Sequence, residues 1–330
     1  MENQSTVTNR KVSYVIPSLV LCITLILANS ILNIAAYGKS QNSSFQAEAA
    51  AIDNMPAKKV KVGDIDMAYM RLGNSSEIPI VLIIGCCTTM DMWNPSVLKE
   101  LSSNRSVIIF DNRGAGETTL GTREFSISQF ANDTTGLLDQ LKIPKADIFG
   151  ISMGSIIAQE LALMNPDRVD SLILTASTCG GPDAIPPNSE VIQAPEAMSN
   201  NTSSSPTQEE IKRITSTLFP QNWFNANPNY SEYIPFPKES VSPQIIQKQN
   251  DAIVNWSATG TCGNLIRITH PTLVMIGTDD VWTPPPNSLM IAEKIPAAWL
   301  VQIRDAGHGL MYQYPDKINR IVTTFLQTAG

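Results

Sequence analysis

The chain contains little histidine and no concentration of positive charge. Only two of its 330 residues are His, whereas a metal-dependent enzyme would usually need more. The net charge is −7 and no Lys/Arg cluster interrupts the acidic balance, which argues against a nucleic-acid partner. The five Cys show no C-x-x-C spacing, so a zinc site is not expected. The sequence therefore indicates no metal and no cofactor.

The composition is nevertheless that of a folded protein. Hydrophobic residues make up 43% of the chain, which is enough to bury a large core and excludes disorder for most of its length. Without a leader, the length is typical of one large α/β domain.

An apolar run near the N-terminus, from Tyr14 to about Ala36, follows Arg10 and Lys11. This pattern predicts an export signal within residues 1–38. It is either a cleaved secretory peptide or an uncleaved anchor that would associate with a membrane through residues 14–36. We therefore expect an exported protein with its folded body outside the cytoplasm. Residues 39–57 are polar and Ala-rich without periodicity, which predicts a linker.

From residue 58 onward, apolar runs that predict strands alternate with runs of helical spacing. Runs at 59–62 and 65–69 flank Gly63-Asp64 and predict a hairpin, while continuous runs at 78–84 and 107–110 are typical of strands buried on both faces. The remaining predicted elements are strands at 147–149, 169–176, 272–276 and 299–303 and helices at 126–143, 156–163, 287–295 and 316–325. This alternation predicts an α/β fold with a mostly parallel, doubly wound sheet over residues 58–330.

The alternation is interrupted between about residues 182 and 260. This segment is rich in Pro, Asn and Ser and contains two predicted helices, at 207–219 and 243–256. A helical insertion beyond the carboxyl edge of a sheet is the natural place for a lid over a site; the alternative is a surface insertion without that role.

One pentapeptide, Gly150-Ile151-Ser152-Met153-Gly154, lies between a predicted strand and a predicted helix. In such a G-x-S-x-G turn the Ser has a strained backbone, and the glycines avoid clashes with the neighbouring strand or helix. The Met153 N–H would lie at the helix N-terminus, where it can stabilise an oxyanion. The pattern thus predicts Ser152 as a nucleophile and Met153 as an oxyanion donor.

A serine nucleophile needs an imidazole to take its proton and a carboxylate to orient that imidazole. His270 precedes a buried strand, on the side of the sheet away from the strand ends where sites form, so a structural role is expected for it. His308 follows the final strand and is the predicted base. The acid is expected after the strand at 272–276, where Asp279 and Asp280 compete for the role.

These motifs resemble the α/β-hydrolase fold superfamily, in particular its small esterase-like members with a helical cap. The matching stretches lie at residues 110–116, 150–154, 271–274, 277–284 and 306–309. The resemblance implies that Asp280 is the acid and that the backbone N–H of Cys86 is the second oxyanion donor. The family commonly has His-Gly at the end of the third strand, where this chain has Ile84-Gly85. That departure leaves the backbone donor in place and alters the loop on which substrate preference depends.

The sequence therefore predicts a serine hydrolase that cleaves an ester-type bond of a small-molecule substrate through an acyl-enzyme. The superfamily also includes amide, lactone and C–C bond hydrolases and cofactor-free peroxidases, which share these residues. A ligand-sensing receptor on the same scaffold and a purely structural surface protein are the alternatives of other classes. Dehalogenation through a carboxylate is disfavoured because the turn holds Ser152.

Two further expectations concern the insertion. In an exported protein, Cys179 and Cys262 could form a disulfide beneath the lid and hold both its ends. The large apolar side chains of the insertion have two possible roles: they line an apolar pocket for a small or medium acyl or alcohol group, or they form the core of the lid. These side chains are Leu218, Phe219, Trp223, Phe224, Tyr230, Tyr233 and Phe236.

Overall fold

The computed structural model describes residues 43–189, 191, 215–235, 238 and 241–329. The predicted export segment, the first part of the predicted linker and most of the helix predicted at 207–219 lie outside this part. Within it, no helix combines the length and the apolar composition that a membrane crossing requires.

Eight strands form a single sheet. They are β1 (Lys58–Val62), β2 (Ile65–Leu72), β3 (Ile80–Ile83), β4 (Val107–Phe110), β5 (Ala146–Ile151), β6 (Val169–Thr175), β7 (Thr272–Gly277) and β8 (Ala298–Ile303). Their order in the sheet is β1-β2-β4-β3-β5-β6-β7-β8. The β1–β2 hairpin and the β2–β4 pair are antiparallel, and all other neighbours are parallel. The predicted hairpin and the mostly parallel sheet are thereby confirmed.

Helices cover both faces of the sheet. The described helices are α1 (Ser43–Asp53), α2 (Pro95–Asn104), α3 (Ile127–Gln140), α4 (Met153–Met164), α5 (Gln221–Ala226), α6 (Pro243–Ser257), α7 (Pro285–Lys294), α8 (Leu310–Gln313) and α9 (Pro315–Thr328). Side chains of α3, α4, α6 and α7 pack in the core on one face, and side chains of α2, α8 and α9 pack in the core on the other.

Strand β3 shows why the central strands are continuously apolar. Its alternate residues Val81 and Ile83 point into the core on the α4 face, whereas Ile80 and Leu82 point into the core on the α9 face. All four side chains are fully buried. A strand with helices on both sides has no polar face, which accounts for the unbroken apolar run in the sequence.

The prediction of an unstructured linker across residues 39–57 is wrong for Ser43–Asp53, which form α1. The helix is held by a distant partner: the Glu48 carboxylate accepts hydrogen bonds from Lys99 Nζ at 2.8 Å and from Ser96 Oγ at 2.7 Å, both on α2. Ile52 is buried in the core on the α9 face. Alanine-rich sequence has high helix propensity, and tertiary contacts stabilise the helix despite its weak amphipathic pattern.

Helix α2 was not predicted, although its start is marked in the sequence. The Asn94 side chain accepts hydrogen bonds from the backbone N–H groups of Ser96 and Val97, and Pro95 occupies the first helical turn. The short helix α8 was not predicted either, whereas α3, α4, α7 and α9 agree with their predicted positions to within a few residues at each end.

Candidate active site

Ser152 lies in the sharp turn between β5 and α4, with φ 54° and ψ −121°. This left-handed backbone conformation is strained for a non-glycine residue and is typical of functional sites. The turn is possible only with Gly at its flanks. A Cβ on Gly150 would lie 2.3 Å from the Gly154 carbonyl oxygen, and one on Gly154 would lie 1.9 Å from the Ile83 carbonyl oxygen. Ser152 is partly exposed.

Asp280 follows β7 and is almost completely buried, with an exposed fraction of 2%. Its Oδ1 accepts hydrogen bonds from the backbone N–H groups of Trp282 at 2.8 Å and Thr283 at 2.9 Å, and its Oδ2 accepts from Thr283 Oγ1 at 2.8 Å. These hydrogen bonds hold the side chain in one orientation. The local turn after β7 thus fixes the carboxylate.

His308 follows β8, the neighbour of β7, and its imidazole connects the two other residues. Its Nδ1 lies 2.9 Å from Asp280 Oδ2 and 3.2 Å from Oδ1, and its Nε2 lies 3.1 Å from Ser152 Oγ. The carboxylate can only accept, so Nδ1 carries the proton and Nε2 is free to accept the Ser152 proton. The structure therefore brings together Ser152, Asp280 and His308 in the order that activates a serine nucleophile.

The competing candidates lie away from this chain of hydrogen bonds. Asp279 is exposed, and its carboxylate accepts a 3.2 Å hydrogen bond from the adjacent Thr278 Oγ1. His270 lies before β7, at the opposite edge of the sheet, where its Nε2 is 2.9 Å from the Pro166 carbonyl oxygen.

Both predicted oxyanion donors belong to segments that meet at Ser152. Met153 is the first residue of α4, so its backbone N–H lies at the positive end of the helix dipole, next to Ser152. A Cβ built on Gly85 would lie 3.3 Å from Ser152 Cβ and 3.9 Å from its Oγ, so the chain leaves β3 directly beside the hydroxyl. Cys86 is the next residue. Two backbone N–H groups on either side of a serine hydroxyl are the arrangement that stabilises a tetrahedral oxyanion.

The sulfur atoms of Cys86 and Cys87 are bonded to each other, so neither residue is a free thiol in this structure. Cys87 has φ 68° and is buried, with an exposed fraction of 3%. The two residues begin the segment 86–89, which we call the oxyanion loop. Adjacent cysteines do not by themselves signal a bond, and no pattern in the sequence indicates this one.

The described part of the insertion contacts the loops that hold Asp280 and His308. The Leu218 carbonyl oxygen accepts a 2.9 Å hydrogen bond from the backbone N–H of Gly309, and a Cβ on Gly309 would lie 2.4 Å from the Phe219 ring. Thr217 Oγ1 accepts a 3.0 Å hydrogen bond from Trp282 Nε1. Residues 215–219 therefore lie directly against the site, which favours the lid interpretation of the insertion.

Helix α6 of the insertion contacts the oxyanion loop on the other side. Gln249 Oε1 accepts a 2.7 Å hydrogen bond from the backbone N–H of Cys87. Ile245 and Ile246 pack against Cys87 and Ala115 in a small apolar cluster. The described part of the insertion thus contacts the loops that carry Cys86, Asp280 and His308.

Cys179 and Cys262 form the disulfide that the sequence analysis considered, at a sequence separation of 83. Hydrogen bonds to α4 also hold both sides of the insertion: Trp256 Nε1 donates to Glu160 Oε1 at 2.8 Å at its C-terminal end, and Gln159 Nε2 donates to the Thr178 carbonyl oxygen at 3.0 Å just before its N-terminal end. Both ends are therefore fixed to the sheet layer.

The insertion's aromatic rings pack mainly on one another. Phe219 and Trp223 stack with ring centroids 4.6 Å apart. The ring centroids of Trp223 and Tyr233 are 5.9 Å apart, and those of Phe224 and Tyr230 are 4.5 Å apart. Phe219 and Phe224 are buried. These contacts favour the lid-core role over the pocket-lining role; Phe236 lies outside the described residues.

Sequence reasoning did not identify two residues of the site, Trp282 and Gln249. Trp282 stacks on His308 with ring centroids 5.7 Å apart, and its position next to the acid loop was a signal that could have been used. Gln249 lies in the helix predicted at 243–256, but nothing local shows that its amide reaches a loop 162 residues earlier.

The chain belongs to the alpha/beta hydrolase fold family, whose sequence profile matches residues 78–315. This agrees with the eight-stranded sheet and with the strand-turn-helix arrangement at Ser152.

Three individual proteins illustrate the similarity. The chain is 29% identical over 266 residues to "Putative non-heme bromoperoxidase BpoC" of Mycobacterium tuberculosis, covering 79% of this chain and 97% of that one. It is 24% identical over 278 residues to 3-oxoadipate enol-lactonase 2 of Acinetobacter baylyi, and the match covers 80% of this chain and 94% of that protein. Among solved structures, an alpha/beta hydrolase fold protein from Chitinophaga pinensis superposes with a TM-score of 0.69 at 26% sequence identity. The superposition covers 83% of this chain and 98% of that chain.

Proposed function

We propose that the protein is a serine hydrolase that cleaves a carboxylic ester bond of a small to medium substrate through an acyl-enzyme. The observation that carries this proposal is the hydrogen-bonded series from Ser152 Oγ through His308 to Asp280. It lies beside a helix N-terminus and below an insertion that contacts the loops around it.

In the first half of the reaction, Ser152 Oγ attacks the ester carbonyl carbon while His308 Nε2 takes its proton. The carbonyl π electrons move to the oxygen, whose negative charge is stabilised by the N–H groups of Cys86 and Met153. Asp280 stabilises the positive charge on the imidazole. When the tetrahedral intermediate collapses, the C–O bond to the alcohol breaks and His308 gives the proton to the leaving oxygen.

In the second half, water repeats the attack on the acyl-enzyme. His308 accepts a proton from the water, the same two N–H groups stabilise the second oxyanion, and the proton passes to Ser152 Oγ as the carboxylic acid leaves. Every step uses groups that are on the protein, together with one water molecule.

The names of the relatives support a hydrolytic reaction at an ester-type bond. The Acinetobacter baylyi relative is named an enol-lactonase, and a lactone is a cyclic ester whose opening needs the same nucleophile, base and oxyanion donors. Amide, C–C bond and peroxidase chemistry use the same residues, so a substrate panel must include them.

The test measures hydrolysis of p-nitrophenyl esters of increasing acyl length by the purified protein. A fluorophosphonate serves as a covalent probe of the nucleophile. We expect ester turnover that is lost in Ser152→Ala, and one fluorophosphonate adduct on Ser152 in the wild type. Tight ligand binding without turnover of esters, lactones, amides, C–C bond substrates or peroxidase substrates would instead identify a ligand-sensing receptor. Turnover that persists in a folded Ser152→Ala variant would contradict the proposed nucleophile.

We propose in addition that the protein is exported. Two disulfides support this, because such bonds form and persist mainly in oxidising compartments. Cell fractionation with N-terminal mass analysis tests it: a chain shortened near residue 30 or 38 indicates a cleaved signal, and a full-length chain in the membrane fraction indicates an anchor. A full-length chain in the cytosol with free thiols would contradict export.

A further inference from the structure

One side chain of the insertion contacts the oxyanion loop through only one end of its amide. Gln249, on α6, is completely buried. Its Oε1 accepts the 2.7 Å hydrogen bond from the Cys87 backbone N–H. Since a backbone N–H can only donate, the oxygen of the Gln249 amide must face Cys87, and this contact fixes which end of the amide is nitrogen.

The nitrogen end of the same amide has no partner. Among the residues that the structure describes, no acceptor lies within hydrogen-bonding distance of Gln249 Nε2. Buried polar groups of native proteins are almost always paired, and leaving one unpaired is costly, so an exception calls for a bound water, an ion or a ligand. A primary amide carries two N–H donors, which suit an acceptor oxygen.

The position of this amide relates it to the reaction. The Cys87 N–H that it holds is one residue beyond the N–H of Cys86, the proposed oxyanion donor, and Gly85 lies directly against Ser152. On its other sides the oxyanion loop packs against the apolar side chains of Ile245 and Ile246. Gln249 is thus a buried polar side chain beside this apolar contact, and its neighbour Asn250 on α6 also approaches the oxyanion loop, with Oδ1 3.5 Å from Cys86 Sγ.

We infer that Gln249 is a substrate-binding residue whose Nε2 donates a hydrogen bond to a second acceptor oxygen in the substrate, close to the scissile carbonyl. This rests on the proposed function and specifies its substrate class: an ester whose acyl part carries an alkoxy, oxo or hydroxy oxygen near the carbonyl. The oxygen end of the amide meanwhile holds the oxyanion loop. A substrate without the acceptor leaves Nε2 unpaired, and such sites discriminate strongly against analogues that lack the matching group.

The test compares substrate pairs that differ in one atom group, CH₂ against O. The first pair is p-nitrophenyl butyrate and its oxygen-containing counterpart p-nitrophenyl methoxyacetate. The second pair is p-nitrophenyl pentanoate and its counterpart p-nitrophenyl 3-methoxypropionate. Gln249→Glu retains an oxygen for the Cys87 N–H and removes the amide N–H donors. Gln249→Met removes both the amide oxygen and the amide nitrogen and keeps a side chain of similar length. Gln244→Glu is the matched control, because Gln244 is exposed on the same helix.

For at least one pair, we expect the ratio of kcat/KM for the oxygen-containing ester to kcat/KM for the alkyl ester to fall about tenfold in a Gln249 variant, mainly through KM. The ratio in Gln244→Glu should equal that of the wild type. Dividing by the wild-type ratio removes the intrinsic difference in ester reactivity.

A ratio within twofold of the wild type for both pairs, in a variant that folds and still hydrolyses the alkyl esters, would overturn the inference. The same holds if the two esters of each pair lose activity equally, because Gln249 would then only support the loop. Wild-type protein that hydrolyses none of the four esters would instead refute the proposed function, which keeps the two failures distinguishable.

Discussion

The indole ring of Trp282 lies nearly parallel to the imidazole of His308, with ring centroids 5.7 Å and planes 28° apart. The same indole donates a hydrogen bond to Thr217 Oγ1 of the insertion. One side chain therefore links the orientation of the proposed base to the position of the lid.

Removal of this ring should impair catalysis more than stability. We expect Trp282→Ala to lower kcat on a p-nitrophenyl ester by about 10- to 100-fold, because the imidazole loses the surface that orients it. Trp282→Phe keeps a stacking ring and loses only the bond to Thr217, so it should retain most of the activity. Equal losses in the two variants would show that the lid contact, and not the stack, is what matters.

The only two histidines of the chain form a matched pair for testing the base. His308→Ala should lower kcat about 10²- to 10⁴-fold, which is the usual contribution of a general base. His270→Ala should leave kcat unchanged, because His270 lies at the opposite edge of the sheet and bonds to the Pro166 carbonyl oxygen. Steady-state rates of both variants, with circular dichroism to confirm folding, decide the assignment; a strong loss in His270→Ala alone would reverse it.

The turn at Ser152 should not tolerate a methyl group at Gly154. A Cβ there would lie 1.9 Å from the backbone oxygen of Ile83, so the strand or the helix must move. We expect Gly154→Ala to lower the free energy of unfolding by at least about 2 kcal/mol and to abolish turnover. The control is Gly263→Ala, whose Cβ would meet nothing within 4 Å and whose effect should stay within about 0.5 kcal/mol. Urea denaturation of both measures the contrast, and similar stabilities would contradict the close approach.

The Cys179–Cys262 disulfide should stabilise the fold. Cys179→Ala, Cys262→Ala and the double variant should each lose about 2–5 kcal/mol of unfolding free energy, and the three losses should be similar because one bond is removed in each case. Alkylation of the wild type without reductant, followed by peptide mass mapping, should leave both positions unmodified. Additive losses in the double variant, or alkylated wild-type cysteines, would show that the bond is absent.

The buried carboxyl group of Asp111 should make stability depend on pH. Asp111 follows β4 and accepts backbone hydrogen bonds from Met90 at 2.8 Å and Glu117 at 3.0 Å, while burial raises its pKa to about 6. The unfolded chain releases this proton near pH 4, so the folded state binds more protons between pH 4 and 6 and loses stability as the pH rises through that window.

The unfolding free energy of the wild type, relative to Asp111→Asn, should therefore fall by up to about 3 kcal/mol from pH 4 to pH 7. Lost hydrogen bonding in the variant adds an offset that does not depend on pH. Asp167→Asn, at an exposed position, should follow the wild type throughout. Parallel curves for the wild type and Asp111→Asn would contradict the raised pKa.

The main features of the fold and three of the site side chains could be predicted because each depends on local signals. Ser152 lies in a short motif between a strand and a helix, and Asp280 and His308 follow two successive strands. Parallel strands place their carboxyl ends at one edge, so sequence position alone brings these residues near each other.

Features that depend on distant contacts could not be predicted in this way. Helix α1 is held by Glu48 through residues about 50 positions later, and its own periodicity is weak. Gln249 reaches Cys87 across 162 residues. Such contacts depend on how the insertion folds back over the sheet, and no short pattern in the sequence encodes that path.

The covalent link between Cys179 and Cys262 has a consequence for engineering. The two positions lie side by side on the sheet layer, so residues 180–261 form a cassette with neighbouring ends that could be exchanged between homologous scaffolds. Such a transplant would have to include a partner for the Cys87 N–H, because Gln249, which accepts its hydrogen bond, lies within the exchanged segment.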